Sequence, residues 1–157
     1  MNYNFRMDMK RILYIFASAV MTLLFSVSCE KDENYMMEQM AGDWHYSAEE
    51  NGVTEDVWVS FAADGTFEMY QKIGGGAYWY STGEFVVGHK SGTVSGVYSD
   101  RYPWKYSYKV SVNGKKMVMT AVETDSYSVT YTRGSIPSEV RQMSLPLTRS
   151  EQMERHL

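Results

Sequence analysis

From Trp44 onward, apolar and polar residues trade places along the chain. The clearest case is Trp104–Val112. Trp104, Tyr106, Tyr108, Val110 and Val112 fall on one side, and Lys105, Ser107, Lys109 and Ser111 on the other. A period of two is the signature of a half-buried strand. The same pattern places Val57, Val59 and Phe61 together in Val53–Phe61, and Phe67 and Met69 together in Thr66–Lys72. It groups Met117, Met119 and Ala121 in Lys115–Val122, and Tyr127, Val129 and Tyr131 in Asp125–Arg133. Trp44–Ala48, Ala77–Val87 and Thr93–Tyr98 complete a set of eight predicted strands, with Gly83 read as a bulge or bend. Asn51-Gly52, Asp64-Gly65 and Asn113-Gly114 mark hairpin turns, because these residues tolerate positive φ. No helical stretch is long enough for a crossover, so the strands pair antiparallel. That leaves an up-and-down barrel or a sandwich, and hairpin after hairpin at regular spacing favours the barrel. Tyr35–Met40 is a short amphipathic turn suited to plugging one barrel end. Ile136–Arg141 reads as a short helix with Pro137 near its first turn. Met143–Leu157 is polar, mixed in charge and without a period, and is predicted to be a loose tail.

A second pattern precedes the strands. Ile12–Phe25 is an apolar run of 14 residues behind Lys10 and Arg11. A transmembrane helix needs roughly 20, so the run fits a signal-peptide core with its positive flank. Ser26-Val27-Ser28-Cys29 follows, and Cys29 is the sole cysteine. The stretch resembles the lipobox of bacterial lipoproteins, matching at Ser28 and Cys29, with Ser26 where a leucine is usual. The resemblance implies cleavage before Cys29 and lipidation of its thiol. The alternative is a retained anchor helix with an ordinary buried thiol. Met9-Lys10-Arg11 would make a conventional start for such a signal. Behind the cysteine, Glu30-Lys31-Asp32-Glu33-Asn34 is a solvated tether. It also resembles the acidic export signal of Bacteroidota lipoproteins, which directs them to the cell surface. The organisation expected is a signal peptide at 1–28, an acylated cysteine and tether at 29–36, a barrel at 37–142 and a tail at 143–157. The location expected is the cell envelope, as an outer-membrane lipoprotein.

Charge narrows the partners. Removing residues 1–28 takes away Arg6, Asp8, Lys10 and Arg11, leaving 12 basic against 18 acidic residues, a net of −6. A nucleic-acid surface needs a basic excess, so none is expected. The 129 residues from Cys29 to Leu157 suffice for one domain with its own core.

At Gly42-Asp43-Trp44 the chain resembles the lipocalin-like domains of Bacteroidota lipoproteins, within the calycin group. Members open their first strand with Gly-x-Trp after a turn of helix, and place an Arg at the end of the last strand over that Trp. Gly42, Trp44 and Arg133 hold those positions here. Ile136-Pro137-Ser138-Glu139 also looks typical of the group, and the resemblance spans about residues 36–142. It implies an eight-stranded antiparallel barrel whose Trp44–Arg133 end is closed and structural.

Chemistry is sparse. His45, His89 and His156 lack metal-ligand spacing, and no second cysteine exists for a thiolate site. Glu49, Glu50, Glu55 and Asp56 read as a solvated hairpin rim. The Gly74-Gly75-Gly76 loop lacks the Lys-Ser/Thr and the helix of a phosphate loop. No Gly-x-Ser-x-Gly elbow occurs. A catalytic site, a metal and a cofactor are therefore not expected. The aromatic faces are the lead. Tyr78, Tyr80, Trp104, Tyr106, Tyr108, Tyr127 and Tyr131 either fill the core or line an amphipathic pocket, since tyrosine brings both a ring and a hydroxyl. The expectation is a non-enzymatic binding module for a small apolar or amphipathic ligand. The alternative is a surface lipoprotein interaction module that meets a protein partner or glycan through the barrel exterior and loops, which an outward stripe around Trp58, Tyr70 and Trp79 would indicate.

Overall fold

Each predicted strand forms. In the computed structural model, residues 34–88, 92–124, 126–147 and 155–157 are described. A helix α1 (34–40) leads into β1 (Gly42–Glu50), β2 (Val53–Phe61), β3 (Thr66–Ile73), β4 (Trp79–Val87), β5 (Thr93–Tyr98), β6 (Tyr108–Asn113), β7 (Lys116–Ala121) and β8 (Ser128–Arg133). Helix α2 (Ser138–Met143) and a two-residue strand β9 (Leu145–Pro146) follow. Around the sheet the order is β3-β2-β1-β8-β7-β6-β5-β4, and β3 pairs back with β4. The result is a closed eight-stranded antiparallel up-and-down barrel, consistent with a calycin-like fold. Ile12–Phe25, Cys29 and the tether as far as Glu33 lie outside the described residues, whereas residues 34–36, expected in the tether, form the first turn of α1. Among the described residues no helix is long and apolar enough to cross a membrane.

Turn chemistry sets the register. Glu50 faces Val53 across Asn51 and Gly52, both at positive φ, which is the primed turn that suits a twisted hairpin. At the other Asn-Gly, Asn113 is itself the last paired residue, facing Lys116, and the loop is Gly114-Lys115 with positive φ at Gly114 alone. One dipeptide thus serves two registers.

The closed end is built by Trp44 and Arg133. Trp44 is fully buried, and its indole N–H donates to the Met40 carbonyl at 2.7 Å. The Arg133 guanidinium lies 4.2 Å over the indole. It donates to the Ala41 and Gln39 carbonyls at 2.8 and 3.0 Å, satisfying groups that the end of α1 leaves open. Gly42 sits at φ +123°, where a Cβ would come within 2.5 Å of that guanidinium. Above this floor Phe61, Phe67, Phe85 and Trp104 fill the bore, with Phe85 and Trp104 stacked at 6.4 Å. Two inward-facing glycines make the room: a Cβ on Gly83 would meet the Phe67 ring at 2.6 Å, and one on Gly96 the Trp104 indole at 2.3 Å.

Three expectations change. Strand β6 begins at Tyr108 rather than Trp104, because Pro103 bridges to Val97 and the Trp104 N–H donates to Gly96. Trp104 therefore reaches the core from a loop. Tyr78 and Tyr80 do not face the bore. Gln71, on the inward side of β3, pairs with Trp79, so Tyr80 faces outward opposite Tyr70. There Tyr70, Tyr78, Tyr80 and Trp58 pack beneath Ile136 and Val140 of the α2 segment. The stretch expected to be a loose tail is docked wherever it is described. β9 runs parallel to the start of β4, and Arg155–Leu157 enter the barrel.

Candidate functional site

The β1–β2, β3–β4, β5–β6 and β7–β8 connections gather at the end opposite α1. Here the alternation that packed phenylalanines lower down presents tyrosines. Tyr98, Tyr108 and Tyr131 are buried, and Tyr46, Tyr106 and Tyr127 are half-buried. Tyr106 meets Tyr108 edge-on at 6.2 Å and Tyr127 at 5.3 Å. Five of the seven predicted aromatics, Trp104, Tyr106, Tyr108, Tyr127 and Tyr131, are thus brought together, and Tyr78 and Tyr80 are not.

The polar ends of this layer are unevenly served. The Tyr98 hydroxyl donates to the Leu157 carbonyl at 3.1 Å. The hydroxyls of Tyr108 and Tyr131, the Trp104 indole N–H and the His156 Nε2 are buried without a hydrogen-bond partner among the described residues. Such groups ordinarily find one. Burial pushes the Tyr98, Tyr108 and Tyr131 phenols above the ordinary tyrosine range, and neighbouring phenols add to the rise. All three stay protonated and remain donors.

Sequence reasoning missed the residues that occupy this end. Arg155 forms a two-pronged ion pair with Asp100, at 3.0 and 2.5 Å, and lies 4.4 Å over the Tyr98 ring. The guanidinium holds the Asp100 carboxyl down to about 2. The His156 N–H donates to Gln71 Oε1 at 3.1 Å, and its Nδ1 lies 2.8 Å from Glu55 Oε1. Its ring rests between Tyr46 at 4.8 Å and Tyr131 at 5.7 Å. Leu157 is buried to 2 % exposure. Beside this segment a groove of about 380 Å³ opens to solvent, lined among others by Glu55, Gln71, Lys105 and Tyr127. Nothing in an aperiodic polar tail announces such docking. The available signal is an aliphatic side chain, a guanidinium and an imidazole facing a mouth of phenols and carboxylates.

On the outer wall, His45 stacks on Trp58 at 4.0 Å, and its Nε2 lies 2.6 Å from Asp56 Oδ1. The Tyr78 hydroxyl donates to the same carboxylate at 2.5 Å. Burial first and that hydrogen bond second push the Tyr78 phenol up to about 12. Among the described residues no group of His, Cys, Asp and Glu is placed to hold a metal ion. Compared with known proteins, the chain matches no family model, no curated protein and no solved structure.

Proposed function

We propose that the protein is a lipid-anchored, non-enzymatic, lipocalin-like binding module of the bacterial envelope that takes a small amphipathic ligand at the open end of its barrel. One observation carries the reading: the buried, unpartnered hydroxyls of Tyr108 and Tyr131 within the tyrosine layer. An apolar ring wall with a few convergent polar groups is what small-ligand sites are made of. The adjoining groove, of about 380 Å³, is within the usual range for such sites. A ligand with an aliphatic or aromatic body and one or two acceptor atoms would cover the rings and pair the hydroxyls.

The rival reading, a glycan or protein surface on the barrel exterior, loses support from α2. Trp79, expected outside, turns inward through its pairing with Gln71, and Trp58 and Tyr70 are packed with Tyr78 and Tyr80 against Ile136 and Val140. Lipid anchoring is supported by Ile12–Phe25 and Cys29, and the Bacteroidota affinity by the Lys31-Asp32-Glu33 run and the Gly42, Trp44 and Arg133 constellation. Each buried CH₂ of an acyl chain contributes about 0.8 kcal/mol, so several chains would hold the protein at the membrane durably.

The test is mass spectrometry of small molecules co-purifying with the mature domain, followed by titration of 1-anilinonaphthalene-8-sulfonate into wild type and Tyr108→Phe/Tyr131→Phe. Saturable binding that weakens several-fold in the double variant is expected. Equal binding by both proteins defeats the site assignment. For the anchor, Cys29→Ala should move the protein from the membrane fraction to the soluble fraction, and unchanged fractionation defeats it.

A further inference from the structure

We infer that Arg155-His156-Leu157 is a displaceable internal ligand, a plug that competes with whatever enters the tyrosine-lined chamber. The segment is recognised as a ligand would be. Its cation is clasped by Asp100 and laid on the Tyr98 ring. Its main chain is read at two points by side chains of the barrel: the His156 N–H by Gln71 and the Leu157 carbonyl by Tyr98. Its aliphatic side chain is buried, and its imidazole sits between two tyrosine rings.

Two features make it displaceable. None of the three residues belongs to a strand, so the plug can leave without opening the barrel ladder. Residues 145–147 are held separately from it, because Leu145 and Leu147 donate to the Tyr78 and Tyr80 carbonyls of the β4 segment. The plug also fits imperfectly. It occupies the mouth yet leaves Tyr108, Tyr131 and its own His156 Nε2 without a partner among the described residues. A buried polar group with no partner costs free energy that a better-matched occupant recovers. An occupant that covers the same rings and also accepts from the two phenols therefore gains what the plug forgoes. A protein whose binding-competent state is only partly populated shows a correspondingly reduced apparent affinity. The plug imposes that reduction, and the ligand must expel it. The inference rests on the small-ligand reading only for what does the expelling.

The experiment uses the full chain and the variant Arg155→Ala/Leu157→Asp, which removes the clasp and places a carboxylate where an aliphatic side chain was buried. Binding of 1-anilinonaphthalene-8-sulfonate is measured for both, together with anisotropy of a fluorescein-labelled peptide spanning residues 149–157. Probe affinity at least ten-fold higher in the variant is expected, with the peptide binding the variant in trans and displacing the probe. Equal probe affinity in both proteins, with no peptide binding, overturns the plug and leaves the small-ligand reading standing. Peptide binding with no probe binding by either protein sustains the plug and sinks the small-ligand reading. Should the variant not fold, amide exchange in wild type decides. The His156 amide is expected to exchange at least a hundred-fold faster than those of Val110 and Met119 by local opening. Exchange at the same rate makes the segment a permanent part of the core and overturns the plug.

Discussion

Burying a tyrosine hydroxyl without a partner costs roughly 1–3 kcal/mol, and Tyr108 and Tyr131 each do so. Replacing Tyr131 with Phe removes the hydroxyl and keeps the ring. Stability by urea denaturation should therefore hold or rise by up to about 1 kcal/mol, because deleting an unpaired buried group relieves its penalty. A loss above 1 kcal/mol would mean the hydroxyl is structural. Trp44 and Arg133 behave oppositely. Trp44→Ala should cost about 3–5 kcal/mol, as large core truncations do. Gly42→Ala should cost about 1–3 kcal/mol, since it puts a side chain at positive φ and against the guanidinium. The Gly42, Trp44 and Arg133 constellation was legible through the family resemblance that Gly42-Asp43-Trp44 carries. Tyr78 and Tyr80 were not, because Tyr78-Trp79-Tyr80 is aromatic on both faces and carries no alternation. Only the pairing of Gln71 with Trp79 decides which side turns in.

The hairpins are where sequence and structure agree most closely. The bounds predicted for β2 and β5 are those observed, because turn residues bracket them and their alternation is clean. Strand β6 shortened where long-range geometry intervened. Gly96 leaves a gap in the wall, the Trp104 indole occupies it, and the backbone of 99–107 bends to deliver the ring. A Cβ on Gly96 would stand 2.3 Å from that indole. Gly96→Ala should therefore destabilise by about 1–3 kcal/mol through overpacking, measured as a lower denaturation midpoint at unchanged slope. The neighbouring Ser95→Ala, whose side chain points to the other face, serves as the control and should stay within about 0.5 kcal/mol. Equal shifts in the two variants would show that the ring does not depend on the gap. Helix α2 was predicted as an element, but its partner was not, since a stripe of Ile136 and Val140 fits any apolar surface. The outward ring of Tyr70 and the neighbouring Tyr80 supply that surface.

Across the whole molecule, the shifted groups define a window of pH within which the plugged barrel should be insensitive to proton concentration. The Asp100 carboxyl, held by Arg155, is depressed to about 2 from an ordinary value near 3.9. A depressed carboxylate stabilises the folded form fully above its ordinary value and loses that contribution as pH falls towards the depressed one. Asp64, bonded by Thr66, and Glu123, bonded by the Ser107 backbone, are shifted in the same direction. On the alkaline side, burial raises Tyr70 and Tyr78 to about 12, and raises Tyr98, Tyr108 and Tyr131 as well. A raised phenol stabilises the fold fully below its ordinary value near 10 and loses that contribution as pH climbs through the raised value. These groups together predict a plateau from about pH 4 to about pH 10, an acid arm towards 2 and an alkaline arm towards 12. The acid arm should begin at the mouth, because Asp100 clasps the plug and not the barrel wall. Anilinonaphthalene sulfonate binding should thus rise below about pH 4, before strand signal is lost in circular dichroism. Arg155→Ala, which removes the cause of the Asp100 shift, should abolish that early rise by giving high binding already on the plateau. Loss of strand signal and probe uptake at one common pH in wild type would instead place the segment within the same cooperative unit as the barrel.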